Sequence, residues 1–406
     1  MSAFTAEEVT RYRAETPGCA HVAHLNNAGA SLMPAPVHDA VRGHLEREAL
    51  AGGYEAEDEA ADAIADTYAA LAELIGGASE EIAFAENATR AWDMACYAVA
   101  DLGPGDRILT ERAEYVSQHL AFLQLAKRTG ASVEVIDDDE HGQIDLGALA
   151  AAMDERVRIV NLVHVPTYGG LINPAAEVGA IVREHPRALY FLDACQSVGQ
   201  LEVDVEAIGC DVLSAPGRKF LRGPRGTGFL WVRESRIAEL EPPFMDLRGA
   251  HWTRGGEGYE LMPDARRFET WETYVAGRVG LGVAARYALA VGVERIEGHV
   301  IALAAGLRGA LAELPGVRIQ DTGARQGAIV TFTVDGVDAG SVAAAARRAA
   351  VNVNAIPAEH ARLAFDPRGV DAVVRSSVHY FTTQEELDRL LAVVRAAAGY
   401  RNALSG

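Results

Sequence analysis

Apolar residues in the middle of the chain fall into short continuous runs, and longer stretches with helical spacing separate them. The runs are rich in valine, isoleucine and leucine, which strands buried on both faces of a parallel sheet require. Because runs and helical stretches alternate, the pattern predicts a mainly parallel sheet covered by helices. The predicted strands are Arg107–Thr110, Ser132–Ile136, Arg158–His164, Leu189–Asp193, Asp211–Ser214 and Gly228–Val232, and the predicted helices lie near Ser117–Arg128, Leu146–Met153 and Pro174–Glu184.

A second, smaller unit is predicted after this region. Trp271–Leu314 has the spacing of one or two long helices, and an α+β order follows it. We predict strands at Val317–Gln320, Ala328–Val334, Val351–Asn354 and Val373–Ser376, and helices at Ala339–Ala350 and Gln384–Ala398. The chain is therefore expected to have three parts: an N-terminal segment, residues 1–30, that packs on the small domain; a large domain, residues 31–275; and a linker helix with the small domain, residues 276–406.

The composition limits the kinds of partner. The 406 residues carry a formal net charge of -20, and such a charge repels nucleic acid and anionic membrane surfaces. The four cysteines, Cys19, Cys96, Cys195 and Cys210, have neither CxxC nor Cys/His spacing, so neither disulfides nor a metal site is predicted. No apolar run is long enough to span a membrane. We therefore expect a cytoplasmic protein with a small-molecule partner.

One lysine and one aspartate carry the strongest chemical signal. Lys219 follows the predicted strand Asp211–Ser214 and precedes a glycine-rich turn, and Asp193 ends another apolar strand. A lysine held between buried strands can lose its proton and become an amine that condenses with aldehydes. An aspartate at a strand end suits a protonated pyridine nitrogen, so the pair indicates a pyridoxal phosphate site. A surface lysine and a helix-capping aspartate are the alternative interpretations.

A possible seat for the phosphate lies earlier in the chain. Asn87, Ala88 and Thr89 stand just before an amphipathic helix. The first turn of a helix presents free backbone N–H groups and the positive end of the helix dipole, which favour an anion. An ordinary helix cap by Asn87 or Thr89 also accounts for this pattern.

These motifs, together with Leu25-Asn26-Asn27-Ala28-Gly29 and the segment Val374–Thr383, resemble those of the class V aminotransferase family of fold-type I pyridoxal phosphate enzymes. The family includes cysteine desulfurases, isopenicillin N epimerase-like proteins and cysteine-conjugate C–S lyases. The resemblance implies an α/β fold, with a large domain built on a mainly parallel sheet of the seven-stranded type and a small C-terminal α+β domain. It also implies pyridoxal phosphate as the cofactor and a homodimer.

The resemblance assigns most of the cofactor site. It implies that Ala88 and Thr89 hold the phosphate, that Tyr115 lies over the pyridine ring, and that Thr167 lies near the ring hydroxyl. Asp193 would pair with the ring nitrogen and Gln196 would donate to the ring oxygen. Relatives often carry histidine where this chain has Arg218, and an arginine can bind two phosphate oxygens.

The substrate side is assigned in the same way. Arg375 matches the arginine that clamps the α-carboxylate of an amino acid, and Asn27 and Gly29 would complete that pocket. Thr273, or Thr270, would reach the phosphate site of the neighbouring subunit. His360 lies where one group of desulfurases carries its cysteine and could act as a general acid; an exposed helix-end pair with Glu359 is the alternative.

The expected reaction is β-elimination from a cysteine S-conjugate, with Lys219 taking the α-proton and sulfur leaving. An aminotransferase or a decarboxylation-coupled oxidative deaminase is the alternative, and an epimerase would need a second base, for which Tyr115 is a poor candidate. A binding protein without catalysis is disfavoured because Lys219 and Asp193 are both present. No cysteine follows Cys210, so a persulfide-forming cysteine desulfurase is not expected.

Overall fold

The computed structural model describes residues 4–99 and 101–402. The outer ends of the predicted parts, residues 1–3 and 403–406, lie outside the described residues. No described helix is long and apolar enough to cross a membrane.

A seven-stranded sheet forms the centre of the larger unit and confirms the predicted, mainly parallel architecture. Gly228–Val232 runs in the opposite direction to the other six strands. Three predicted strands have the predicted bounds, and the others agree within two residues. In spatial order the strands are Ile82–Ala85, Gly228–Val232, Val212–Pro216, Leu189–Asp193, Val157–Val163, Arg107–Glu111 and Ser132–Ile136.

Helices cover both faces of this sheet and bury its apolar side chains. Leu189–Asp193 and Gly228–Val232 are buried along their whole length, as the absence of polar alternation predicted. Gly292 has a φ of 92° and divides the long helical stretch into two helices. The α-helices up to that point are Ala6–Ala14, Ala35–Ala51, Gly53–Glu59, Ala61–Ile75, Ala88–Cys96, Val116–Thr129, Leu146–Ala152, Ala175–Arg183, Val205–Ile208, Glu234–Ile237 and Val275–Val291.

The smaller unit is built on an antiparallel sheet of four strands. Their order is Val317–Ile319, Ile329–Val334, Ala372–Ser377 and Asn354–Pro357. Its α-helices are Val293–Ala312, Ala339–Arg348, Arg362–Phe365 and Gln384–Asn402. The predicted strand Val351–Asn354 is divided, because Val351–Asn352 leaves the sheet to pair elsewhere. Single turns of 3-10 helix occur at Pro17–Ala20, Ser79–Glu81, Ala265–Phe268, Ala358–His360 and Asp366–Arg368.

The N-terminal segment joins the smaller unit through backbone hydrogen bonds. Ala23–His24 pairs in parallel with Val351–Asn352, and Asn26 forms a bridge to Ser377. Phe4 and Tyr12 are buried in the same apolar cluster as Phe332. The N-terminal loop is thereby fixed beside the strand Ala372–Ser377, although the division at residues 30 and 275 stays a prediction.

An exposed hairpin and an edge strand were not predicted. The hairpin is formed by Ala250–Trp252 and Tyr259–Leu261. It has no buried face, so its sequence shows no alternation of apolar and polar residues that would predict a strand. Ile82–Ala85 is four residues long with two alanines, too short for a periodic signal.

Candidate active site

A cleft of about 280 Å³ opens where several parallel strands of the large sheet end. The carboxyl ends of parallel strands meet at one edge of an α/β sheet, which is where such folds bind ligands. Eight of the predicted site residues line it: Ala88, Thr89, Tyr115, Thr167, Asp193, Gln196, Arg218 and Lys219. The remaining lining residues are Glu86, Asn87, Val163, Val165, Cys195, Pro216, Arg225 and Gly226.

The loop that carries Lys219 is held by a buried arginine. Arg222 has a φ of 64°, a left-handed conformation that costs free energy for a residue with a side chain. Its backbone N–H donates to the Lys219 carbonyl oxygen at 3.0 Å. Its guanidinium donates to the Leu32 carbonyl oxygen at 2.9 Å and to Thr16 Oγ1 at 2.6 Å. These contacts with Thr16 and Leu32 fix the turn that presents Lys219 to the cleft.

The Lys219 amine lies in an environment that favours its neutral form. Its side chain is only 9% exposed, and burial lowers the pKa of the ammonium. The charges of Arg218 and Arg375 lower that pKa further, whereas Cys195 and Asp193 oppose them. A neutral amine is the nucleophile that an aldehyde cofactor requires.

Asp193 is buried at the end of its strand and both of its oxygens accept hydrogen bonds. The Cys195 backbone N–H donates to Oδ1 at 2.8 Å, and Gln118 Nε2 donates to Oδ2 at 2.9 Å. These two hydrogen bonds fix the orientation of the carboxyl group. Asp193 is therefore held in one orientation in the wall of the cleft.

The phosphate corner is formed by the first turn of the helix Ala88–Cys96. Asn87 caps this helix by accepting from the Arg90 N–H at 2.9 Å, so the ordinary cap is present, and the phosphate seat at the same helix end stays a prediction. Gly228 allows the close approach, because a Cβ there would lie 2.8 Å from the Asn87 carbonyl carbon and 2.9 Å from the Ala88 nitrogen. Arg218 and Arg225 line the same cleft and add positive charge.

Arg375 lies on the small sheet and contacts one of the residues that line the cleft, Thr167. Its Nη1 donates to the Thr167 carbonyl oxygen at 2.7 Å and to Thr167 Oγ1 at 3.0 Å. Burial, with the charge of Arg218, lowers the pKa of Arg375 to about 10, so the side chain stays charged at neutral pH. The Nε atom is buried without a hydrogen-bond partner and remains available as a donor.

The contact with Arg375 that was expected of Asn27 is made by Asn26. Arg375 Nη2 donates to Asn26 Oδ1 at 3.2 Å. Asn27 points the other way, since its Nδ2 donates to the Ser377 carbonyl oxygen at 2.8 Å and its Oδ1 accepts from Ser31. Gly29 is needed for this arrangement, because a Cβ at that position would lie 2.8 Å from Asn26 Oδ1.

Two predicted residues lie away from the cleft. His360 is exposed on the turn Ala358–His360, and its Nε2 lies 4.0 Å from Glu359 Oε1. That geometry corresponds to the exposed helix-end pair, and His360 is not among the cleft residues. Thr273 lies just before the helix Val275–Val291 and also does not line the cleft, so its role across a subunit boundary stays a prediction.

The residues present fit pyridoxal phosphate. Gln196 was expected to donate to the ring oxygen, but its Nε2 already donates to the Ala28 carbonyl oxygen at 3.1 Å and the atom without a partner is the acceptor Oε1, so that donation stays a prediction. A free helix terminus with arginines suits the phosphate, Asp193 suits the ring nitrogen, and Lys219 suits the aldehyde. When bound, the cofactor draws electrons away from the α-carbon of an attached amino acid.

Sequence reasoning missed two residues of the site and one strong signal. Gln118 lies three residues after Tyr115 on the same helical face, and this spacing could have identified it. Asn26 could not be separated from Asn27 without coordinates. The chain has only two lysines, Lys127 and Lys219, and Lys127 is exposed at the end of the helix Val116–Thr129. Lys219 is thus the sole lysine that a buried site could use.

Comparison with known proteins places the chain in a family. The model of the Aminotransferase class-V family matches residues 23–390. A "Probable cysteine desulfurase 2" of Mycobacterium leprae is 32% identical, with 93% of this chain and 92% of that protein covered. A "Probable cysteine desulfurase" of Methanothermobacter thermautotrophicus is 30% identical over 93% of this chain and 94% of that protein. The apo structure of a cysteine desulfurase from Thermococcus onnurineus NA1 has a TM-score of 0.88 at 26% identity, with 98% of this chain and 100% of that chain covered.

These relatives contradict the expected function. The sequence argument excluded a cysteine desulfurase and favoured an S-conjugate lyase, because no cysteine follows Cys210. That exclusion is wrong, since similarity to proteins named cysteine desulfurases extends over nearly the whole chain. The exclusion rested on the residue type at one loop position, whereas the similarity extends over nearly the whole chain. The matched family model and the cleft around Lys219 together establish that this chain belongs to the class V aminotransferase family of pyridoxal phosphate enzymes.

Proposed function

We propose that this enzyme cleaves the carbon–sulfur bond of cysteine, in a desulfurase-type reaction. The observation that carries the proposal is the buried Lys219 amine between Asp193 and the arginines of the cleft. Arg375 binds the α-carboxylate through charge-assisted hydrogen bonds. Lys219, once free, removes the α-proton and holds it on Nζ. The relatives named cysteine desulfurases support this choice of bond.

The sulfur acceptor in this proposal is a thiol supplied from outside the chain. Cys195 is the one cysteine that lines the cleft, and burial, with the charge of Asp193, raises the pKa of its thiol, so it is not a ready nucleophile. Cysteine and an external thiol RSH would give alanine and the persulfide RSSH, which balances atoms and electrons. No cysteine follows Cys210. In this proposal the sulfur therefore leaves the enzyme on the external thiol and not on a cysteine of the small domain.

Product analysis tests the proposal. Purified holoenzyme with L-cysteine and dithiothreitol should release alanine and sulfide in equal amounts. The Lys219→Ala variant should release neither, while Lys127→Ala, which removes the other lysine, should match the parent enzyme. Borohydride reduction should fix the cofactor only on the peptide that contains Lys219. Release of pyruvate and ammonia without alanine would refute desulfuration.

We further propose that the enzyme acts as a homodimer in the cytoplasm. Seven of the twelve exposed large apolar side chains of the described residues fall between residues 244 and 274: Phe244, Met245, Leu247, Trp252, Tyr259, Trp271 and Tyr274. The Tyr274 ring lies 3.9 Å from the position of a Cβ on Gly226, a cleft residue. A second copy that covers this segment would thus also cover the cleft rim. The four free cysteines favour a reducing compartment.

A further inference from the structure

One buried arginine joins three separate segments of the chain beside the candidate active site. The Arg222 side chain is only 2% exposed. Besides its two contacts with the N-terminal part of the chain, its Nη1 donates to the Tyr380 hydroxyl. Tyr380 follows the strand that carries Arg375. Because Arg222 also lies in the turn of Lys219, one side chain connects the lysine turn to the segment of the predicted carboxylate clamp.

The surroundings of this guanidinium hold it at one point. Its three hydrogen bonds all go to neutral oxygen atoms, and no carboxylate of the described residues forms an ion pair with it. The ring centroids of Phe381, Tyr380 and Tyr287 lie 4.4, 5.2 and 5.8 Å from Arg222 Cζ. Aromatic faces attract a cation, and a buried charge that leaves its partners loses much free energy.

The residues next to Lys219 are tied to the same segments through their backbone. His379 Nε2 donates to the Phe220 carbonyl oxygen at 2.9 Å, and the Ser31 N–H donates to the Arg218 carbonyl oxygen at 2.8 Å. These bonds fix the chain on either side of Lys219, while the lysine itself lines the cleft. Among the described residues of this turn, the buried arginine alone forms hydrogen bonds to both segments.

The backbone of Arg222 indicates that its side chain, and not the turn, needs an arginine here. Its φ of 64° is a conformation that glycine adopts without steric cost and arginine does not. The turn itself uses the backbone hydrogen bond from the Arg222 N–H to the Lys219 carbonyl oxygen at 3.0 Å, which glycine would also form. The function of the arginine therefore lies in the contacts of its guanidinium.

We propose that Arg222 is a positioning residue that couples Lys219 to Arg375, so that the α-carbon of a substrate clamped by Arg375 lies within reach of the lysine amine. Removal of the α-proton depends on this distance, whereas binding of the carboxylate and of the cofactor does not. The inference rests on the roles proposed for Lys219 and Arg375, but not on which bond the enzyme breaks after the α-proton has left.

Exchange of the α-proton with solvent tests this coupling apart from sulfur chemistry. L-alanine has no leaving group, and the parent holoenzyme in D₂O should replace its α-proton by deuterium, as followed by ¹H NMR. Arg222→Gly keeps the left-handed turn and removes the guanidinium. We expect kcat for exchange to fall about 100-fold, while KM for alanine and cofactor affinity stay within about twofold.

The possible failures are distinguishable. If the parent enzyme exchanges and Arg222→Gly has the same kcat, or loses cofactor affinity in the same proportion as kcat, the coupling is refuted and the proposed reaction stands. If the parent enzyme does not exchange the α-proton, the role of Lys219 as the base fails, and this inference fails with it.

A smaller change decides the question even where Arg222→Gly does not fold. Tyr380→Phe removes one hydroxyl, whose hydrogen-bond partner is Arg222, and should lower kcat for exchange about tenfold without a change in KM. The double variant should be no slower than Arg222→Gly, because the hydroxyl acts through the guanidinium. An unchanged kcat in Tyr380→Phe, or additive effects in the double variant, overturns the proposal.

Hydrogen exchange of the apoprotein gives a second measurement that needs no cofactor. The Arg222 and Gly223 N–H groups are bonded within the turn, so the peptide that contains Lys219 should exchange about tenfold faster in Tyr380→Phe. Equal exchange in Tyr380→Phe and the parent protein contradicts the coupling. Asp101→Gly is the matched control, because Asp101 also has a left-handed φ, of 58°, and is exposed. It should leave both the peptide exchange and kcat as in the parent protein.

Discussion

Arg375 donates from Nη1 to the carbonyl oxygen of Thr167 at 2.7 Å, and this contact joins the small sheet to the loop after a central strand of the large sheet. Because Thr167 also accepts from Gln196 Nε2 at 3.3 Å, the guanidinium is fixed relative to the cofactor cleft. In the proposed role of carboxylate clamp, an arginine held in this way would be rigid before the substrate arrives, which reduces the entropy lost on binding.

Replacement of Arg375 should therefore separate substrate binding from cofactor binding. Arg375→Lys keeps a positive charge but loses the planar donor geometry, and we expect KM for the amino acid to rise by about 100-fold, equivalent to about 3 kcal/mol. Cofactor affinity, measured by fluorescence titration, should change little. Arg389→Ala is the control, since Arg389 Nη2 contacts only the Ala349 and Ala350 carbonyl oxygens. An unchanged KM in Arg375→Lys would remove Arg375 from the substrate site.

The same residue predicts an upper pH limit. The pKa of Arg375 is lowered to about 10 by burial and by Arg218, so the guanidinium loses its proton as the pH rises through that value. We expect KM to increase above about pH 10 while the cofactor remains bound, as judged by its absorbance. A KM that is flat up to the pH of unfolding contradicts this prediction.

The close packing at the phosphate corner should require a glycine at position 228. A methyl group in Gly228→Ala would meet backbone atoms of Asn87, Ala88 and Ala215 at 2.8 to 3.0 Å, and backbone cannot rotate away. We expect a loss of about 1–3 kcal/mol in the free energy of unfolding and about tenfold weaker cofactor binding, measured by equilibrium dialysis. Gly309→Ala is the control, because nothing lies within 4 Å of that Cβ position; it should stabilise the helix by up to about 1 kcal/mol. Equal cofactor affinity in Gly228→Ala would show that the helix terminus is not the phosphate seat.

The buried strands and the residues at their ends could be predicted because their chemistry is local. Leu189–Asp193 is apolar on both faces and ends in an acid, so both its place in the sheet and the role expected of Asp193 follow from five residues. Asn26 and Asn27 show the opposite case. Which of the two neighbouring amides faces Arg375 depends on hydrogen bonds to Ser377 and Ser31. Ser377 is distant in sequence, and Ser31 lies in another turn. The reaction was misjudged because the lack of a cysteine after Cys210 was taken to decide the chemistry of the whole cleft.

The exposed apolar side chains between residues 244 and 274 should hold two copies together. Trp252 is 81% exposed on the hairpin Ala250–Leu261, and exposed aromatic side chains in one patch are typical of interfaces. Trp252→Arg should shift the sedimentation coefficient toward that of a monomer and weaken cofactor binding, because the cleft rim loses its cover. Leu120→Arg changes an exposed leucine outside the segment and should leave both unchanged. A Trp252→Arg protein that sediments as the parent does would contradict this interface.

The buried Glu114 predicts how the stability of the apoprotein depends on pH. Its pKa is raised to about 8 in the folded state, first by burial, whereas an unfolded glutamate titrates near 4.5. Between these values the folded state holds a proton that the unfolded state lacks, so this residue's contribution to stability falls as the pH rises, by up to about 1.4 kcal/mol per unit. Glu114→Gln removes that term, and its unfolding free energy relative to the parent should improve by up to about 3 kcal/mol between pH 5 and pH 7 in urea titrations. Leu123→Ala, on the exposed side of the following helix, adds no titratable group and should show the same offset at both pH values. If Glu114→Gln also shows a constant offset, the pKa of Glu114 is not raised in the folded state, and this prediction fails.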